Sequence, residues 1–260
     1  MQLESRLREL RAGGRKLLVP YVTGGMRGDW VDVARAMVDG GADALEVGIP
    51  FSDPVMDGPT IQEASSASLA RGTTPQSILA DLRGADLGVP LVAMTYYNLV
   101  FRAGHKRFAD GLADAGVGAA IVPDLCLEES REWESDAAAA GIETVLLAAP
   151  VTPRDRLEEI CARAHGFVYG VGLMGVTGER TTIAASTSEL AIRLKAATDR
   201  PVLMGFGIST PSQAAQVSAD ADGVIVASAL MRAVLDGASA ESVGDLVRDL
   251  RRGLDYPAND

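Results

Sequence analysis

Residues 44–50 read Ala44-Leu45-Glu46-Val47-Gly48-Ile49-Pro50, an apolar run broken by one charge and closed by a proline. Period-two alternation puts Leu45, Val47 and Ile49 on one face and Ala44, Glu46 and Gly48 on the other. An apolar outer face suits covering helices, and a lone acid on the inner face points along the axis of a closed sheet. Seven further apolar runs flank it: Leu17–Thr23, Leu91–Tyr96, Ala119–Asp124, Thr144–Ala149, Phe167–Val171, Pro201–Gly207 and Gly223–Ala227. Between them lie segments of helical spacing, among them Trp30–Val38, Glu128–Ala140, Asp155–Ala164, Ser188–Ala197 and Ser212–Val217. Strands that alternate with helices pair in parallel through right-handed crossovers, and eight such units in about 250 residues fit a single α/β domain, a (β/α)8 TIM barrel with extra helices. The alternative is an open doubly wound sheet, but its nucleotide-binding forms need a GxGxxG or GxxxxGK[ST] loop, and neither occurs. No Pro/Ser-rich linker divides residues 1–260, which read as one domain.

The 260 residues carry 24 basic and 35 acidic side chains, a net charge of −11. That balance argues against a nucleic-acid surface or a polybasic membrane anchor, since both need clustered Lys and Arg. It leaves room for a small anion, because backbone N–H groups at helix starts bind phosphate without net positive charge. The chain has 2 cysteines, Cys126 and Cys161, with no metal-ligand spacing, and no metal is expected. No signal peptide and no apolar run near the 18 or so residues of a membrane span are present, so a cytoplasmic protein is expected.

Glu46 sits near the C-terminal end of its strand, where barrels keep their chemistry. A carboxylate among apolar walls loses hydration, its pKa rises, and it can hold or accept a proton near neutral pH. A Glu salt-bridged inside the barrel fits the spacing equally well. The proline-rich stretch Phe51-Ser52-Asp53-Pro54-Val55-Met56-Asp57-Gly58-Pro59 that follows is a shaped loop, able to hold Asp53 or Asp57 over the barrel mouth. Either Asp could instead only brace a turn. At the other side, Gly207 and Ser228 fall after the seventh and eighth strands, where barrels build phosphate sites, although a tight turn needs glycine anyway. The segment Leu173–Ala185 has no apolar periodicity and reads as a lid loop carrying Thr177.

The strings LEVGIPFSDPVMDGPTIQ (residues 45–62), TYYNLVF (95–101), IVPDLCLEE (121–129), GVTG (175–178) and GFGIST (205–210) resemble the tryptophan synthase α subunit family, and the likeness spans nearly the full length. The resemblance implies a TIM barrel that cleaves indole-3-glycerol phosphate to indole and glyceraldehyde 3-phosphate, with no cofactor. It also implies a pyridoxal-phosphate β subunit as partner, in a complex of two α and two β chains. On that likeness Glu46 and Asp57 are the catalytic carboxylates. Glu46 moves protons at indole C3 and the side-chain hydroxyl, and Asp57 stabilises, and later deprotonates, the ring N–H. Tyr21, Met94, Tyr96 and Phe206 would wall the substrate, with Tyr169 near the Glu. Thr177 matches the lid threonine, and Gly178, Gly207 and Ser228 match phosphate contacts.

The chain departs from the family pattern at Thr23-Gly24-Gly25-Met26-Arg27, at Met56, where Ala is usual, and before GVTG at Val171–Met174. It also carries Ala227 where Gly usually precedes Ser228, a change compatible with phosphate contact only at negative φ. Two other functions fit the same residues: a stand-alone lyase that releases free indole, and a catalytically silent barrel that activates a partner. His105, His165, Trp30 and Trp133 lie outside the strand-end motifs and are read as structural or surface residues.

Overall fold

The computed structural model describes residues 2–172, 180–205 and 207–256, with the backbone alone over 180–185. Eight parallel strands form a closed barrel in chain order: β1 (Leu17–Thr23), β2 (Leu45–Gly48), β3 (Leu91–Met94), β4 (Ala119–Ile121), β5 (Glu143–Ala148), β6 (Val168–Val171), β7 (Val202–Gly205) and β8 (Gly223–Val226). The helices of the first half are α1 (Leu3–Ala12), α2 (Trp30–Asp39), α3 (Pro59–Ala70), α4 (Pro75–Arg83), α5 (Tyr97–Ala103) and α6 (His105–Asp114). Those of the second are α7 (Arg131–Ala139), α8 (Arg154–Arg163), α9 (Arg180–Ala197), α10 (Pro211–Ser218), α11 (Ser228–Leu235) and α12 (Ala240–Asp255). All eight expected strands are present, most shorter by one to three residues at their C-terminal ends, where the chain turns into the loops of the mouth. The loop expected to run to Ala185 ends earlier, because α9 already begins at Arg180.

Alternation along the strands sorts side chains into one inner cluster and two outer ones. Leu45, Val47 and Ile49 pack outward with Val33 and Met37 of α2 and Ile78 of α4. Inward-facing Leu17, Val19, Ala44, Val92, Ile121, Val145, Phe167, Leu203 and Ile225 fill the lower barrel, and Leu3 and Leu7 of α1 join them from below. A fully buried side chain of this kind contributes about 1.5–3 kcal/mol, so the floor is a packed core and the open volume is left at the C-terminal end. Helix starts are fixed locally. Thr74 with Ser77 and Thr210 with Gln213 form capping boxes ahead of Pro75 and Pro211. No described helix is long and apolar enough to cross a membrane. Cys126 and Cys161 are both free.

The charges at the lower end are paired. Asp43 takes the Leu18 N–H at 2.8 Å, Arg15 Nε at 2.6 Å and the Arg251 guanidinium at 3.1 Å, joining β1 to α12. Asp222 does the same between β7, α1 and α9, through the Val202 N–H at 2.8 Å, Lys195 at 2.7 Å and Arg11 at 3.3 Å. Removing one member of a buried ion pair leaves the other charge uncompensated, at a cost of about 3–5 kcal/mol. Among the described residues, Asp43→Ala leaves the buried Arg251 with only Asp255, at 2.8 Å, and is therefore expected to lower the urea-unfolding free energy by up to that order while leaving activity per folded molecule unchanged. An unaltered unfolding midpoint contradicts this account of the lower end.

Candidate active site

Glu46 lies on β2 between Tyr21 of β1 and Val92 of β3. It is 2% exposed. Its Oε2 has no hydrogen-bond partner, and no Lys or Arg pairs with it among the described residues. Of the two readings left open by the spacing, the salt-bridged one thus finds no cation among the described residues. Burial first, and the nearby Asp57 second, push its pKa up to about 8.

Two glycines make the space for this group's neighbours. A Cβ on Gly48 would stand 1.9 Å from the Tyr21 hydroxyl, and one on Gly205 would stand 2.3 Å from the Tyr169 hydroxyl. Each ring thus lies across a strand position that has no side chain. The Thr23 hydroxyl donates to the Tyr21 oxygen at 3.1 Å. Burial raises both phenols, and the carboxyl groups of Glu46 and Asp57 raise them further, so both stay protonated at neutral pH. Met94, at the end of β3, pairs with Gly48 and faces the same interior.

The loop after β2 separates its two acids. Asp53 is exposed and accepts only the neighbouring Ser52 hydroxyl, at 2.6 Å, as a turn-bracing Asp does. Asp57 is turned inward and partly buried. Burial raises its carboxyl to about 6, against a lowering hydrogen bond from Tyr96. Its backbone N–H donates to Pro54 O at 3.0 Å, and Gln62 of α3 donates to its carbonyl at 2.8 Å. Tyr96 is more than a wall, since its hydroxyl accepts the Met56 N–H at 3.1 Å and its ring stacks on Phe51.

Across the mouth, Tyr169, Gly172, Gly205, Gly207, Ile208, Ile225, Ala227 and Ser228 line a cavity of about 150 Å³. Gly207 has φ +43°, in the left-handed region that favours glycine. Ala227 precedes the first turn of α11 with φ −117°, so its Cβ is accommodated and the helix start remains open to an anion. No Lys or Arg is among these lining residues. Thr177, Gly178 and Phe206 lie outside the described residues. Of the departures, Met26 is buried in the core and Arg27 binds Ala238 O at 2.6 Å and Asp29, so that loop is anchored toward α12.

The chain matches the family described as tryptophan synthase alpha chain over residues 7–251. It belongs to that family. It is 43% identical over 258 residues to the tryptophan synthase alpha chain of Thermobifida fusca, covering 97% of this chain and 96% of that one. With the alpha chain of Methanosarcina mazei the identity is 42% over 260 residues, covering 97% and 94%. Among solved structures, a Mycobacterium tuberculosis tryptophan synthase superposes with a TM-score of 0.89 at 37% identity, covering 97% of each chain. A Legionella pneumophila tryptophan synthase subunit alpha gives a TM-score of 0.89 at 32% identity, covering 98% and 99%.

Sequence reasoning missed the stacking role of Phe51, the Thr23 hydroxyl, and the clearance provided by Gly48 and Gly205. Only an inward position next to a facing tyrosine would have signalled the last of these. The buried carboxyl also sets a stability signature. Glu46 is raised from 4.5 to about 8 on folding, so the stability it contributes is complete below pH 4.5 and is lost as pH climbs to 8. Glu46→Gln has no such loss. From pH 5 to pH 8.5, urea unfolding should shift by a few kcal/mol in the variant's favour relative to the parent. A pH-independent difference contradicts a desolvated Glu46.

Proposed function

We propose that the chain is the indole-3-glycerol phosphate lyase of tryptophan biosynthesis, working as the α subunit of tryptophan synthase, with Glu46 and Asp57 as its catalytic pair. The observation that carries the assignment of roles is the buried Glu46 carboxyl, with Oε2 unpartnered and a second acid, Asp57, near enough to raise its pKa.

Between pH 6 and 8 the free site holds Glu46 as the acid and Asp57 as the carboxylate. Glu46 gives its proton to indole C3, and positive charge spreads to the ring nitrogen. Asp57 accepts the N–H hydrogen bond and offsets that charge. The C–C bond then breaks, its electron pair returning to the indole ring while the side-chain hydroxyl becomes the aldehyde. The hydroxyl proton goes to the Glu46 carboxylate, which restores the starting acid. Tyr21, Met94 and Tyr169 surround the indole, and the family resemblance adds Phe206 to the apolar wall. Backbone N–H groups at Gly207, Ala227 and Ser228 take the phosphate, and the family resemblance adds Gly178 as a phosphate contact and Thr177 as the lid threonine. No metal or organic cofactor is required by these steps.

The partner is a β subunit seated over the mouth, in a complex of two α and two β chains. Val55, Met56 and Phe101, which are 77%, 58% and 65% exposed, support this, because they follow β2 and β3 directly and lie at that end.

Purified chain mixed with indole-3-glycerol phosphate should release indole, and added β subunit should accelerate it. Strong release that β does not change would favour a stand-alone lyase. Glu46→Gln and Asp57→Asn should each lose two or more orders of magnitude, about 1.4 kcal/mol per tenfold. Full activity in both variants would leave only a partner-activating barrel. In addition, kcat/KM, which reports the free enzyme, should rise as pH passes about 6 and fall as it passes about 8. A flat profile over pH 5–9 contradicts the pair's assigned protonation states.

A further inference from the structure

The loop that carries Asp57 is closed by short bonds of its own: Asp57 N–H to Pro54 O at 3.0 Å and Val55 N–H to Asp53 O at 2.9 Å. These fix the backbone turn but not the direction of the Asp57 carboxylate, which has its own rotamers. The direction is set from the next strand. Tyr96 follows β3 at the N-cap of α5, is buried, and stacks on Phe51 at 5.2 Å between ring centres and 24° between planes. Its hydroxyl accepts the Met56 N–H at 3.1 Å, which places it beside the Asp57 carboxyl, whose pKa it lowers. A phenol offers one O–H donor, and because the oxygen already accepts the amide of the residue before Asp57, that donor is left for the acid.

We propose that Tyr96 is a positioning residue for Asp57. Its hydroxyl is held between the Met56 amide and the Asp57 carboxylate and aims the acid at the point where the ring N–H arrives. The inference rests on the reading of Asp57 as a catalytic carboxylate. An apolar wall would need only the ring, and phenylalanine would serve. A hydrogen bond to the ionised form favours it, so Tyr96 also opposes the desolvation that would protonate Asp57. The ring's packing on Phe51 gives the hydroxyl a fixed origin on a strand end, which a loop side chain lacks.

The test is Tyr96→Phe in the full-length chain, with kcat/KM for indole release measured from pH 5 to 9. Alongside it, Asp57 is titrated by carboxyl 13C NMR without substrate. The variant should lose about ten- to a hundredfold, in the range that a misplaced catalytic group costs. Its acid limb and the Asp57 titration should both move up by roughly half to one pH unit. The loss should also vanish in an Asp57→Asn background, since residues acting as one unit are not additive. A parental pH profile with an unmoved Asp57 titration overturns the proposal, and so does a loss of rate without either shift. If Asp57→Asn alone keeps full activity, the catalytic reading of Asp57 fails. The NMR titration still decides separately whether Tyr96 holds that carboxylate.

Discussion

An ionised carboxylate taken out of water costs several kcal/mol unless a cation or donors replace its hydration. At the lower end of this barrel that cost is met by pairing, with Asp43 and Asp222 each surrounded by cations and a backbone N–H. Near the mouth it is left unmet at Glu46, whose Oε2 has no partner. The group responds by holding its proton. A molecule with only this upper site would be poorly stabilised. The packed interior from Leu3 to Ile225 and the paired acids below supply the rigidity that keeps Glu46 dry and fixed.

The second acid is kept different from the first by its surroundings. Asp57 stands on a loop at the rim, partly in solvent, and receives a phenol donor, whereas Glu46 stands inside a strand without one. Two like charges facing each other cannot both ionise cheaply, and this asymmetry decides which ionises first. The phenols of Tyr21 and Tyr169 add no competing charge, because burial keeps both protonated.

The strands were legible because a parallel barrel buries both faces, which leaves continuous β-branched runs that little else produces. The direction of Glu46 followed from period two, and the place of Gly207 and Ser228 after the last two strands from the strand count. Less was legible where one residue's role depends on a distant one. Gly48 and Gly205 read as turn or strand glycines until the rings of Tyr21 and Tyr169 are placed across them. Asp53 and Asp57 have the same chemistry in the same loop; apart from the family resemblance nothing in the sequence separates them, and in the structure burial and the approach of Tyr96 do. The start of α9 at Arg180 was missed because Thr181, Thr182, Ala184 and Ala185 present no apolar stripe to mark a helix.

The same physics bears on how an acidic chain of net charge −11 takes a phosphate ester. A lysine or arginine in the cavity beside Tyr169 would be the obvious anion partner, but a cation within about 4–6 Å lowers a carboxyl pKa by 1–3 units. Tyr169 lines that cavity and also feels the Glu46 charge, so a cation there would tend to ionise Glu46 and remove its proton before the reaction. Backbone N–H groups and the start of α11 avoid the conflict. Their attraction is directional and local to the first turn, so on the proposed reading it acts on the phosphate without reaching the acid. Gly207 must then remain glycine for its positive φ, whereas the position before Ser228, at negative φ, is free to carry alanine. Among the described residues the lining holds no Lys or Arg, and an anion taken there by backbone, as proposed, at a position that tolerates alanine, would leave the acid its proton.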